Sequence, residues 1–277
     1  MTTPVPTIPV HDASDPRIGD YLNIRDADLQ SRRGAFIAEG RFIVRTFLSG
    51  SRFKCRSVLV TPLALESIAD ALNEAAECPP VFTASQAVMN QVAGFDVHRG
   101  CLAVGERGEA LSESALLAHI PAGPAVVLVL EGLTNHDNVG GIFRSALAMG
   151  ASGVLLSPSC CDPLYRKSIR VSMGAALHLP FARSGPLNQS VQSLKAGGFT
   201  IAALHTGADA VDIHDYALRA AAHRRIALLV GTEGAGLSEP ATAAADVRLR
   251  IAMRPEVDSL NAVVACSIAL HRLGPLA

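Results

Sequence analysis

Residues 130–151 read LEGLTNHDNVGGIFRSALAMGA. The apolar run before them, AVVLVL (125–130), ends at Leu130, and a helical pattern takes over by about Asn138. Residues 131–137 are therefore a loop at the carboxyl end of a strand, where ligands of open α/β sheets bind. On a helical wheel Val139, Ile142, Phe143, Ala146 and Leu147 form one apolar face. Gly141, Ser145 and Ala148 form a bare strip that another element must approach closely. Arg144 lies beside that strip with a planar, permanently charged fork suited to phosphate. The plainer alternative makes Asn138 a helix N-cap and Arg144 a surface ion-pair partner.

Five more short apolar runs follow: GVLLS (153–157), LHLPFA (177–182), FTIAAL (199–204), IALLV (226–230) and VRLRIA (247–252). Helical patterns or Gly/Pro loops separate them, which predicts an α/β fold with a parallel sheet buried on both faces. Ahead of them, FIAEG, SVLVTP, VFTAS and CLAVGER alternate with amphipathic stretches such as RFIVRTFLSG and LALESIADALNEAA, predicting a smaller α/β domain over 1–105. Residues 106–124 mix charge, Ser and Gly and end in Pro-Ala-Gly-Pro, which reads as a linker, leaving 125–277 as the second domain.

A chain of 277 residues supports two such cores. Its formal net charge of -1 provides no global basic field, so a nucleic-acid partner would need a local patch. Between Arg17 and Arg56 nine basic residues face four acidic ones, and Arg32, Arg33, Arg41 and Arg45 are the candidates for RNA contact; the bland reading of such a run is a solvated face. The N-terminal stretch MTTPVPTIPV lacks a basic region followed by an apolar core, and no apolar run approaches the roughly 18 residues that span a bilayer, so a cytoplasmic location is expected. The six cysteines include no CxxC pair and read as reduced, mostly core residues.

Two further loops carry polar residues. IALLVGTEGAGLSEP (226–240) runs a strand into Gly231, Gly234 and Gly236 around Glu233, where glycine lets backbone groups meet a ligand directly. It is neither a dinucleotide fingerprint nor a P-loop, and alone it reads more readily as a tight turn. LRIAMRPEVDSLNAVVACSIALHRL (249–273) gives a strand, a loop and a helix beginning near Ser259, which looks like its N-cap. That helix is apolar nearly all round from Ala262 to Leu270 and is expected to be buried, so Asn261 at its mouth needs partners. No GxSxG elbow, HExxH, Cys/His metal spacing or close carboxylate pair is present, so hydrolase and metalloenzyme readings fall behind.

Together NVGGIFR (138–144), GTEGAGLS (231–238) and IAM with SLN (251–261) resemble the three motifs of the SpoU (TrmH-like) branch of the SPOUT RNA methyltransferases, and KSIRVSMGAALHLPF (167–181) resembles the region between the first two. The resemblance covers most of 125–273. It implies a deep trefoil knot holding S-adenosylmethionine, no metal, a homodimer, and methyl transfer to ribose 2′-hydroxyls. By matching positions, Gly231, Glu233, Gly234, Ile251, Met253 and Leu260 would surround the cofactor. Asn138, Arg144, Ser259 and Asn261 would line the reacting centre, with Arg144 acting near the partner subunit's cofactor. FIAEGRFIVRTFLSG and HRGCLAVGER resemble the substrate-binding domain often attached to this family, similar to a small ribosomal RNA-binding protein, which favours ribosomal over transfer RNA. The alternatives are a transfer RNA 2′-O-methyltransferase and a non-catalytic RNA-binding or ribosome-assembly factor of the same fold. A nucleotide-binding metabolic enzyme is a third class, which would bind NAD or ATP. The third motif commonly reads IPM and SLNVS, where this chain has IAM and SLNAV.

Overall fold

The structure is a computed structural model that describes residues 4–22, 34–94, 97, 100–207, 209–219 and 225–274. It divides into two compact units, one of 1–109 with 164–178, the other of 110–163 with 179–277.

The first unit contains β1 (Ile8–Pro9), β2 (Ala35–Glu39), α1 (Arg41–Leu48), β3 (Cys55–Val60), α2 (Pro62–Glu66), α3 (Ala69–Glu74), β4 (Val81–Thr83), α4 (Gln86–Ala93) and β5 (Cys101–Glu106). Its sheet runs in the order β1-β4-β3-β5-β2, with β5 antiparallel to both β3 and β2. Strand β2 is buried along its whole length, and α1 buries Ile43, Val44 and Phe47 at helical spacing. Each such side chain contributes about 1.5–3 kcal/mol on burial.

The second unit opens with α5 (Glu113–Ala118), then β6 (Ala125–Leu130), α6 (His136–Ala148) and β7 (Gly153–Leu156). The chain next passes through α7 (Arg166–Val171), which belongs to the first unit. It returns with β8 (Phe181–Arg183), α8 (Leu187–Ala196), β9 (Thr200–Leu204), β10 (Val211–Asp212), α9 (Ile213–Arg219), β11 (Arg225–Val230), α10 (Glu239–Ala244), β12 (Val247–Arg250) and α11 (Ala262–Leu273). The seven strands lie in the order β10-β12-β9-β11-β6-β7-β8 and all pair in parallel. All six residues of β6 are buried, as its unbroken apolar run requires. Among the described residues no helix is long and apolar enough to cross a membrane.

Four expectations need correction. Residues 106–124 are not a bare linker, because Ser112 caps α5 through the Ala115 N–H at 3.1 Å and Leu116 is buried in the second unit's core. Residues 164–178 depart from the expected second domain and pack with the first unit. There Arg166 lies 3.6 Å from the buried Glu39 carboxylate, and Ser51 Oγ donates to the Leu177 carbonyl at 3.0 Å. The run LHLPFA is strand only from Phe181, since His178 Nε2 meets the Thr46 carbonyl at 2.9 Å and Ala175–Leu177 is a 3-10 turn. Finally, α11 is not buried all round. Ala262, Cys266, Ala269, Leu270 and Leu273 are buried, whereas Val264 is 46% exposed.

Of the cysteines, Cys101, Cys160 and Cys266 are buried, Cys55 and Cys161 partly so, and Cys78 is exposed. Burial pushes the Cys101 and Cys266 thiols up to about 12, which keeps them protonated and unreactive.

Candidate active site

The bare strip on α6 is where α11 packs. A side chain at Gly141 would come within 2.9 Å of the Val263 methyls, and the Ser145 and Ser267 hydroxyls meet at 2.7 Å. Val139, Ile142, Phe143 and Ala146 form the buried face of α6 as expected, but Leu147 is 41% exposed. The crossing of two helices in one chain therefore accounts for the strip's small residues.

The crossing brings the mouths of both helices together. Asn135, not Asn138, caps α6, accepting from the Asp137 N–H at 2.9 Å. Asn138 is thereby left inside the first turn, buried, and its amide donates to Glu233 Oε1. Likewise Asn261, not Ser259, caps α11, accepting from the Val263 N–H at 2.9 Å. Its own amide reaches Asn138 Oδ1 at 3.1 Å and Glu233 Oε1 at 3.3 Å. One residue from each of the three loops thus meets in a single polar cluster, in which one carboxylate oxygen receives two amide donors. A buried polar side chain without such partners would cost about 1–3 kcal/mol.

The loop after β11 folds back on itself. The Thr232 N–H donates to the Gly236 carbonyl at 3.1 Å, and the Gly236 N–H returns to Thr232 at 3.0 Å. A Cβ on Gly231 would lie 2.2 Å from Gly236 C and 2.4 Å from Leu237 N, both backbone atoms, so only glycine fits there. The turn is also tied to the loop after β6. Glu131 accepts from both the Ser238 N–H and its hydroxyl at 2.8 Å, while the Gly132 N–H donates to Ser157 Oγ at 3.0 Å.

A cavity of about 380 Å³ opens at the carboxyl ends of β9, β11 and β12. Gly231, Glu233, Gly234, Ile251, Met253 and Leu260, all expected around a cofactor, line it, as does Ser259. Asn138 and Asn261 are off its wall and reach it through Glu233. Arg144 is also off the wall, exposed, and has no ion-pair partner among the described residues. Sequence reasoning missed the contribution of β9, whose end supplies Leu204, His205 and Thr206. The signal was available in FTIAAL, an apolar strand whose carboxyl end opens on polar residues. It also missed the Glu131–Ser238 clamp, which no spacing rule reveals. No Lys or Arg lines this cavity among the described residues, so no basic side chain there would meet the polyphosphate of NAD or ATP.

The N-terminal candidates fare differently. Arg45 is committed to Asp70, gripping both carboxylate oxygens, and to the Ser67 carbonyl at 2.8 Å. Those hydrogen bonds hold the Asp70 carboxyl down to about 2. Arg56 is likewise held by Asp20 at 2.8 Å and Lys54 by Glu77 at 3.0 Å, so acidic residues brought in by the fold neutralise much of the basic excess. Arg41 is half-buried at the start of α1 and has no ion-pair partner among the described residues. Arg32 and Arg33 lie outside the described residues.

Residues 125–271 match the family model for the SpoU rRNA Methylase family. Over 96% of its length the chain is 38% identical to an uncharacterized tRNA/rRNA methyltransferase of Mycobacterium tuberculosis, covering 93% of that protein. Its fold resembles the AdoMet-bound rRNA methyltransferase of Sinorhizobium meliloti, with TM-score 0.78, 22% identity, and 96% of this chain and 97% of that one covered. It also resembles an RNA 2′-O ribose methyltransferase, with TM-score 0.73, 24% identity, and coverage of 96% and 98%. With the second and third motif loops lining one cavity, the first joined to them through Asn138 and Glu233, and the family model spanning all three, the chain belongs to the SpoU rRNA methylase family.

Proposed function

We propose that this chain transfers a methyl group from S-adenosylmethionine to a ribose 2′-hydroxyl of RNA, ribosomal RNA in preference to transfer RNA, as a cytoplasmic homodimer. The observation that carries this reading is the meeting of Asn138, Glu233 and Asn261 beside a cavity whose back wall only glycine at 231 permits. Relatives named as tRNA/rRNA methyltransferases and the AdoMet-bound neighbour support it.

The residues present fit the cofactor. The cavity's size suits a nucleoside with a short side chain, and Leu204, Leu237, Leu249 and Ile251 give it apolar walls for a base. Backbone groups at Gly231, Ile251 and Leu260 would hold adenine and ribose, with Glu233, Gly234 and Met253 close by. When bound, S-adenosylmethionine supplies an already electrophilic methyl. The protein's contribution is then to align a ribose oxygen with it and to remove water and the released proton. Ser259, Thr206 and Thr232 on the cavity wall carry hydroxyl donors for orienting groups, and Asn138 acts through Glu233. Arg144 carries a permanently charged guanidinium, so it acts as an anchor for the phosphate next to the reacting ribose and makes the hydroxyl more acidic by its charge, with water or that phosphate taking the proton.

Dimerisation has support in the exposed apolar side chains Leu147 on α6, Leu218 on α9 and Val264 on α11, at 41%, 74% and 46% exposure. A partner would also give the unpaired Arg144 its place at a cavity. The deep knot is supported by β11 lying between β6 and β9 while β12 returns beyond β9. For the N-terminal unit we propose RNA binding, with Arg41 among its contacts.

The test is calorimetric titration with S-adenosylmethionine, followed by mapping of 2′-O-methylation across total RNA with and without the gene. Binding together with loss of one ribosomal RNA methyl mark is expected. A chain that binds the cofactor but changes no mark would be the assembly factor instead.

A further inference from the structure

The cavity has a charge character that its fit to a nucleoside does not require. Two carboxylates, Glu233 and Asp258, are on its wall, and no Lys or Arg is among the described residues there. Glu233 has one oxygen held by the amides of Asn138 and Asn261. Asp258 is exposed and has no hydrogen-bond or ion-pair partner among the described residues, so no neighbour cancels its charge. Arg254 and Glu256 belong to the same loop but are off the wall. His205 is the remaining titratable side chain that lines the space with the two acids.

We propose that Asp258, with Glu233, makes this cavity selective for charge, so that it retains a cationic sulfonium and releases the neutral thioether left after transfer. The inference rests on the methyltransferase reading above. In that reaction the ribose oxygen takes the methyl, its proton passes to water, and the electron pair of the broken bond remains on sulfur. The ligand's net charge therefore falls by one at the moment of transfer. Carboxylates that attract the ligand before the step lose that attraction after it, while the apolar contacts are unchanged. At the partly solvated distances of such a site, one unit charge discriminates by roughly three- to tenfold.

Calorimetry on the full-length chain tests this with three probes: S-adenosylmethionine, S-adenosylhomocysteine, and sinefungin, which carries an ammonium near the sulfonium position but no transferable methyl. Wild type is expected to prefer both cations. Asp258→Asn should weaken the two cations roughly three- to tenfold and change S-adenosylhomocysteine by less than about twofold, and high salt should imitate the substitution. Glu256→Gln, off the wall on the same loop, should change none of the three. Equal weakening of all three probes by Asp258→Asn, or no change in any, would overturn the charge role while leaving the cofactor site intact. Failure of wild type to bind any probe would overturn the methyltransferase reading, and this inference with it.

Discussion

Asn261 Nδ2 lies 3.1 Å from Asn138 Oδ1, across 123 residues of sequence, and both amides reach the same oxygen of Glu233. The contact joins the first turns of α6 and α11, so each asparagine holds the other's helix mouth in register. Replacing either with Ala should lower stability and cofactor affinity together. The double variant should cost less than the sum of the two, by about 0.5–3 kcal/mol of coupling. Thermal melts and titrations of the four proteins measure it; strict additivity would show that the cluster is not a unit.

Gly231→Ala should weaken S-adenosylmethionine binding roughly ten- to hundredfold, because a methyl 2.2 Å from the Gly236 carbonyl carbon must push the turn into the cavity. Gly19→Ala, in the first unit with open space around its Cβ, should bind nearly as wild type. Equal losses at the two positions would place the effect outside the cavity wall.

For Arg144→Ala we expect cofactor affinity to be retained and methyl transfer to fall by about 10²–10³, the range for losing one preorganised donor at a reacting centre. Arg144→Lys should recover little, since an ammonium lacks the planar fork. Near-normal turnover of the alanine variant would remove Arg144 from the reaction.

RNA affinity should separate Arg41 from Arg45. Arg41→Ala is expected to reduce the salt slope of RNA binding by about one, whereas Arg45→Ala should leave it unchanged because its charge is already matched by Asp70. The Asp70 pairing has its own pH signature. Its folded pKa of about 2 is below the unfolded value near 3.9, so the stability it gives is present above pH ~4 and is lost as pH falls through about 2. Acid titration of Asp70 by NMR checks the pairing directly.

The parallel sheet was legible because the runs 125–130, 153–156, 201–204 and 226–230 are apolar without interruption, as strands covered on both faces require. The six residues that the resemblance in loop motifs places around a cofactor all line one cavity. The caps were misread by two or three residues. Ser259 and Asn138 looked like caps because they are polar near a helix start, whereas Asn135 and Asn261 are in the position where a side-chain oxygen meets an N–H two residues on. The basic excess before Arg56 was misleading because its counter-charges, Asp70, Glu77 and Glu106, come from later in the chain. The domain cut failed for the same reason: nothing local in 164–178 announces that Arg166 will meet Glu39.

A truncated chain lacking residues 1–105 should consequently be less stable than the intact protein, because Ile169, Ala176 and Leu177, all fully buried, would lose the surface that covers them. Comparing melting temperatures of truncated and full-length protein tests this; an unchanged midpoint would mean that 164–178 finds other cover.

That interleaving also bears on synthesis at the ribosome. The leading unit cannot finish its packing when residue 109 emerges, because its last buried piece, ending at His178, is still unmade. At about 5–20 residues per second the wait is several seconds, during which the part of β2 that α7 packs against is uncovered. Nascent-chain folding of the leading unit should therefore finish only once residue 178 has emerged, with the second unit closing later still, after α11 is made.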